Sequence, residues 1–392
     1  MPDTHAPVAP SAAKQWLECP PSIRFGEKYG NPEQTSEAAE EGTLAHALAE
    51  DHLKKMLAGK KVTTPASFKK NPLYKPAMEE HVSVYTDVVM ETLAEAKQTG
   101  DAMIKIEQKL DLTPWIKEGF GTSDAVIIAD GTMHVLDLKY GKGIPVSAEE
   151  NPQLKIYALG CINEFGVLYD IHDVVLHIIQ PRLDSISEWT VSREVLEKWG
   201  EFIVKPQADK AYAGEGEFNP GEEQCRWCLG KNRCRAYQNY VLEACQMRFD
   251  DLDGHEREPN ELTDAEIAEM LGKVDEIKRW ASSVADYALE QALSGVTIPG
   301  YKLVEGTSRR KITNEGKAID ILRENGQTTE SICKLRGITD LESLVGKNTL
   351  KELLGDLIVK PEGKPTLVPE SDDRKPLNSL KFNELKENIQ HE

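Results

Sequence analysis

The dipeptide Asp130-Gly131 lies between two β-branched, apolar runs, residues 124–129 and 132–138, and constrains this chain more than any other feature. Asp-Gly between such runs is the strongest short-range signal for a two-residue hairpin, whose turn positions need φ > 0. With that turn Ala129 faces Thr132, Ile127 faces His134, and Asp124 faces Asp137. Like charges directly opposite destabilise a hairpin. The register therefore implies something positive between the two carboxylates, and a divalent cation is the simplest candidate. Lys139, two residues past Asp137, points to the same face. Mg²⁺ or Mn²⁺ held there would acidify a bound water and hold a phosphate oxygen, with Lys139 steadying the water or the developing charge. The same residues also describe a surface hairpin that carries only an Asp–Lys ion pair.

The flanking segments supply a layered fold. Asn151-Pro152 reads as an N-cap followed by proline at the first helical position, opening a helix to about residue 164. Gln153 and Tyr157, four apart, share one of its faces. Upstream, the periodicity predicts helices over 37–57, carrying His46, and over 76–99, with Val82, Tyr85, Val88, Val89 and Leu93 at helical spacing. A strand over 104–110 carries Glu107. Strands at 173–180 and 188–191 and a helix over 195–213 follow. Helices first, then a mixed sheet, then helix and strand describe an α/β sheet flanked by helices.

A second motif is Cys225-Arg226-Trp227-Cys228-Leu229-Gly230-Lys231-Asn232-Arg233-Cys234. Three cysteines this close, in a chain with seven cysteines and no apparent secretory leader, point to metal ligation rather than to a disulfide framework. Cys161 and Cys245 fall in helical stretches and read as core. Spacing alone leaves both zinc and an iron–sulfur cluster open, and a fourth ligand is still needed.

Taken together, Gly121-x-x-Asp124, Asp137-x-Lys139 and Gln153-x-x-x-Tyr157 resemble the RecB-type branch of the PD-(D/E)XK nuclease superfamily. Ser123 stands where proline often precedes the first aspartate. The resemblance covers about residues 11–240. It implies a restriction-endonuclease-like mixed sheet and Mg²⁺- or Mn²⁺-dependent cutting of DNA. It further implies His46, Asp124, Asp137 and the Leu138 carbonyl as metal ligands, and Glu107 as an auxiliary acid. Lys139 would position water, and Gln153 and Tyr157 would touch DNA. AddB-type relatives, and others in CRISPR adaptation, hold a [4Fe–4S] cluster between one N-terminal Cys-Pro cysteine and a C-terminal triplet. Cys19, Cys225, Cys228 and Cys234 match that arrangement. The resemblance also implies exonuclease action, a phage-encoded protein of recombination or replication with a protein partner from that process, and the cytoplasm of a bacterial host.

Composition qualifies this. The net charge of −19 counts against tight, autonomous DNA binding, which needs lysine and arginine against phosphate. Basic residues do gather locally: Lys139, Lys142 and Lys155; Arg226, Lys231, Arg233 and Arg235; Arg309, Arg310 and Lys311. No apolar run approaches the length of a membrane span. The expected organisation is a loose N-terminus (1–10), a nuclease domain with its cysteine clasp (11–249), an acidic linker (250–261), a helical region opened by a capping box at Thr263 (262–358) and a disordered tail (359–392). The rival readings are a non-enzymatic DNA-binding or scaffolding protein on the same fold, and a structural zinc protein.

Overall fold

The structure is a computed structural model and describes residues 6–29, 37–245, 264–302, 315–324 and 335–358, with residues 329 and 333. The expected acidic linker, the cap at Thr263, the basic turn at 308–311 and the tail lie outside the described residues. The chain divides into two compact units, Met1–Leu335 and Arg336–Glu392.

The first unit is built on a five-stranded mixed sheet whose spatial order follows the sequence: β1 (Ala102–Asp111), β2 (Phe120–Ala129), β3 (Gly131–Leu138), β4 (Ile171–Gln180) and β5 (Ser185–Ser192). All neighbours are antiparallel except β3 and β4. That parallel step needs a crossover, supplied by the helix Pro152–Phe165. The β2–β3 register is the one the Asp-Gly turn dictates, from Ala125↔Leu136 to Ile128↔Met133. Only Gly131 takes positive φ (87°), however, and Asp130 does not.

In chain order the helices are α1 (Ala13–Glu18), α2 (Ser22–Tyr29), α3 (Glu37–Leu57), α4 (Ala66–Lys69), α5 (Pro76–Thr99), α6 (Pro152–Phe165), α7 (Arg193–Trp199), α8 (Lys205–Ala213), α9 (Glu222–Arg226), α10 (Arg235–Cys245), α11 (Asp264–Leu293) and α12 (Glu315–Glu324). Of these, α3 and α5 cover one face of the sheet, and α1, α6, α7 and α8 cover the other. Val126, Ile128, Met133 and Val135 pack on Leu154, Ala158 and Cys161 of α6. Ala125, Ile127, Leu136 and Leu138 pack on Leu48 and Leu53 of α3 and Val82 and Val89 of α5. The Asn151 side chain caps α6, accepting from Gln153 N and Leu154 N. Residues 6–10, expected to be loose from their Pro/Ala content, are instead tied in. Val8 is fully buried in the α6-side core, and the Trp16 indole donates to the Ala9 carbonyl at 3.0 Å.

The helix expected over 195–213 is present as α7 and α8 joined by a π-turn, Gly200–Val204. Pro206 has no N–H to give the preceding turn, which accounts for the irregular ladder there. Lys155, counted above in a basic track, is buried: its ammonium contacts Glu150 at 2.6 Å and lies 4.1 Å from the Trp199 ring centroid. It anchors α6 and is not a surface charge. In the second unit α13 (Ile338–Val345) and α14 (Lys347–Leu354) meet at Gly346 and bury Leu350. Among the described residues no helix is long and apolar enough to cross a membrane.

On the α5 side of the sheet two imidazoles meet across β3 and β4, with His134 Nδ1 3.1 Å from His177 Nε2. His177 Nδ1 lies 3.4 Å from a carboxylate oxygen of Glu188. The tautomer with His177 Nδ1–H donating to Glu188 and accepting from His134 satisfies both rings. Burial, then the neighbouring imidazole, pushes His177 down to about 4, and burial lowers His134. Because the folded pKa lies below the unfolded value, protons favour the unfolded chain. The stability involved is present above pH 6.5 and is lost as pH falls toward 4, by up to about 3 kcal/mol for His177. We expect the urea midpoint of the wild type to fall more steeply over this window than that of His177→Gln. Parallel curves for the two proteins would show that the ring is not buried neutral.

Candidate metal centre

The site begins with an interruption in strand pairing. Strands β1 and β2 are paired on either side, Ile106↔Ala125 and Gln108↔Ser123, but the ladder has no pair at Glu107 and Asp124. Glu107 has φ 50°, the left-handed region that a residue with a Cβ seldom adopts within a strand. Both strands change face there. In β1, Ile104 and Ile106 pack toward α3 and α5, whereas Leu110, of the same parity, packs toward α6. In β2, Val126 and Ile128 face α6. So does Gly121, of opposite parity, whose missing Cβ would lie 2.8 Å from Tyr157 Cε1 and 3.3 Å from Pro10 Cγ. A strict two-residue alternation is therefore broken once in each strand, at facing positions.

The break brings Glu107 and Asp124 together under α3. His46 Nδ1 lies 3.1 Å from Asp124 Oδ1, and the Leu138 N–H donates to Asp124 Oδ2 at 2.8 Å. Among the described residues, His46, Glu107 and Asp124 form a set whose ligand atoms all lie within 4.8 Å of one another. The small pocket around them is closed by Ala49, Glu50, Leu53, Tyr85 and Ile106. Glu50 follows His46 by one helical turn, a spacing legible in the sequence but not used in reading it. Tyr85 was read as part of an apolar stripe, and nothing in the sequence separates it from its neighbours.

The electrostatics are those of crowded carboxylates. Burial, then the Asp124 charge, pushes Glu107 up to about 7. Burial also raises Asp137, opposed by Lys139 and reinforced by Asp124. Burial depresses His46, but Asp124 and then Asp137 outweigh it, carrying the imidazole up to about 9. An excess of buried negative charge around one imidazole is the environment a cation relieves.

From Asp137 a chain of polar contacts runs to α6. Lys139 Nζ lies 2.9 Å from Asp137 Oδ2 and donates to Gln153 Oε1 at 2.9 Å. Gln153 Nε2 donates to the Tyr157 hydroxyl at 3.0 Å. Gln153 and Tyr157, expected to face DNA, take part in this chain, with Tyr157 buried against Gly121. Lys139 and Asp137 share a face, as the hairpin register requires. The direct opposition of Asp124 and Asp137 is replaced by the contact of Asp124 with the Leu138 backbone.

The cysteines assemble separately. Cys19, Cys225, Cys228 and Cys234 line one cavity with Ser22, Phe25, Lys231 and Tyr237, and all four are free thiols. Burial, followed by the charges of their neighbours, pushes Cys225 up to about 12 and Cys228 up to about 11. Cys161 is buried in the α6-side core, Cys333 stands apart from the cavity, and the Cys245 side chain is outside the described residues. Helix α11 leans on the cysteine segment, with Ile277 and Trp280 packed on Cys225 and Tyr237. Arg279 bridges to Glu222 at 2.6 Å, and Arg233 Nε donates to the Tyr287 hydroxyl at 2.6 Å.

A family model described as "Protein of unknown function (DUF2800)" matches residues 5–375, and the chain belongs to that family. Among solved structures, it is similar to one titled "Crystal structure of SSO0001", at 14% identity over 57% of this chain and 85% of that one, with a TM-score of 0.25.

The tight contact at Gly121 gives a test of how the α6 end of the polar chain is held. Gly121→Ala should destabilise the protein by about 1–3 kcal/mol, as overpacking does. In a Tyr157→Ala background the same substitution should cost far less. Chemical denaturation of the four proteins measures that coupling, and additive effects would mean that the ring does not set the need for glycine.

Proposed function

We propose that this chain is a Mg²⁺- or Mn²⁺-dependent DNA nuclease of the RecB-like PD-(D/E)XK type, acting from DNA ends, with a [4Fe–4S] cluster held by Cys19, Cys225, Cys228 and Cys234. The observation that carries the reading is the convergence of His46, Glu107 and Asp124 to within 4.8 Å beside the Asp137–Lys139 pair. One imidazole and several carboxylates suit a hard divalent cation in the donor set they offer. A bound cation would acidify a coordinated water and draw charge from the scissile phosphate.

The chain's own residues do the rest. Asp124 is oriented by the Leu138 N–H on one oxygen and by His46 on the other. Lys139 is held by Asp137 and Gln153, so its ammonium faces the phosphate already oriented, ready to steady the attacking water or the developing charge. Gln153 and Tyr157 act on DNA through Lys139, a change from the direct contact implied by the resemblance. The net charge of −19 leaves the grip on DNA to local basic groups and to a partner protein of recombination or replication.

For the cysteines, all-thiolate ligation suits both zinc and an iron–sulfur cluster, and the cluster is the choice that the resemblance implies. The cluster would join residue 19 to residues 225–234 and so close a very long loop.

Two experiments test this reading. Anaerobically purified protein with Mn²⁺ should degrade end-labelled linear DNA. Asp137→Ala should lose at least about a hundredfold of that rate while keeping its folded spectrum, and Lys139→Ala should lower kcat with little change in Mn²⁺ dependence. DNA binding without cleavage by the wild type would favour the scaffolding alternative. Separately, iron and sulfide should be present in the wild type and in Cys161→Ser but depleted in Cys19→Ser, with the whole first unit destabilised. Zinc in iron-replete, anaerobic protein would overturn the cluster.

A further inference from the structure

Tyr85 comes from the middle of α5 and is among the largest fully buried side chains, 1% exposed. Its ring packs in the α3/α5 core with Leu48, Leu53, Val82 and Val89, an environment that phenylalanine would fill as well. Its hydroxyl, however, has no hydrogen-bond partner. A buried hydroxyl left unpaired costs about 1–3 kcal/mol. Phenylalanine would avoid that cost, so the hydroxyl needs a reason.

Location supplies one. Other buried polar atoms also lack partners, among them Ser123 Oγ and His52 Nε2. Of these side chains only Tyr85 lines the pocket formed by His46, Glu50, Glu107 and Asp124. The nearby carboxylates are acceptors, yet none is within hydrogen-bond reach of the phenol. The pocket thus has an unpaired phenol among its lining residues, with carboxylates and an imidazole around it and none of them in direct contact with the hydroxyl. A water molecule held by a cation would satisfy both sides, because it accepts from the phenol and binds the ion through oxygen.

A phosphate oxygen is the other ligand chemistry to consider, and burial decides against it. The His46 side chain is 32% exposed and that of Lys139 27%, so a polymer's phosphate meets these groups first. Tyr85 is sealed behind them.

We propose that the Tyr85 hydroxyl belongs to the cation site, where it holds a water of the bound ion on the side of Glu107 and Asp124. This rests on reading the His46–Glu107–Asp124 set as a divalent-cation site. Tyr85 is then a positioning residue, acting on the ion through its water.

The test is Mn²⁺ titration of the full-length protein by electron paramagnetic resonance, with thermal unfolding of the same samples without metal. Tyr85→Phe should keep or raise the metal-free Tm, since it removes an unpaired hydroxyl, while weakening Mn²⁺ binding about tenfold. A purely structural tyrosine would move the first quantity and leave the second. Wild-type Mn²⁺ affinity in Tyr85→Phe would overturn this inference alone. A wild type that binds no Mn²⁺, or binds it as well after Asp124→Ala, would overturn the cation site and the inference with it. Should Tyr85→Phe lose metal-free stability, Tyr85→Leu separates the ring from the hydroxyl. Equal loss of Mn²⁺ affinity in both variants supports the hydroxyl, and loss confined to Tyr85→Leu overturns it.

Discussion

Val126 and Ile128 face α6, so Asp124, two residues earlier in the same strand, can turn toward His46 of α3 only where the strand's alternation fails. Here it fails at Glu107 in β1 and at Asp124 in β2, which stand opposite each other and leave one rung of the ladder unfilled. Glu107 accepts a left-handed backbone, φ 50°, at a cost on the order of 1–2 kcal/mol. In return the strands beyond the break present Leu110 and Gly121 to α6, where unbroken alternation would have turned them to α3 and α5. The site lies where the two halves meet, so strand geometry and the candidate chemistry share one irregularity.

That arrangement concentrates charge. Asp124, Asp137 and Glu107 are drawn together in a poorly solvated place with one imidazole and one ammonium. The raised values of Glu107 and His46 record the strain from opposite directions. The cysteine cavity repeats the problem with thiols, where burial and the neighbouring sulfurs make Cys19, Cys225 and Cys228 harder to ionise. In both places the fold holds like-charged or potentially like-charged groups closer than water would allow. The sheet and helices absorb that energy through their apolar faces, chiefly the two clusters on either side of β2 and β3.

Much of this was legible in the chain itself. The Asp-Gly turn specified the β2–β3 register, because the sum of paired positions follows from the turn length alone. Asn151 and Pro152 marked the start of α6, and its end at Phe165 lies one residue past the expected one. The four cysteines expected to share a ligand do line one cavity. What escaped depended on tertiary context. Period-two reasoning placed Asp124 square against Asp137, since nothing local marks the reversal at Glu107. Lys155 looked like surface charge because a lysine's burial between two tryptophans depends on β5 and α7, distant in sequence. Tyr85 is indistinguishable from core at helical spacing. Helix α11 read as an amphipathic stripe, and only its contacts with Tyr237 and Cys225 reveal that it rests on the cysteine segment.

The separation of Cys19 from Cys225 has a consequence in time as well as in space. A ribosome adding about 5–20 residues per second needs about 10–40 s to travel from one to the other. Every residue of the candidate metal centre, from His46 to Tyr157, is synthesised inside that interval. The sheet and its polar chain therefore have the opportunity to assemble on a nascent polypeptide whose first cysteine still waits for its companions. Until Cys234 has cleared the exit tunnel, the N-terminal segment that packs Val8 and Pro10 near α6 is fastened by its apolar contacts and by the Trp16–Ala9 hydrogen bond, without the cysteine segment. The distance along the chain thus works as a delay, holding back the last closure until the sheet has been made.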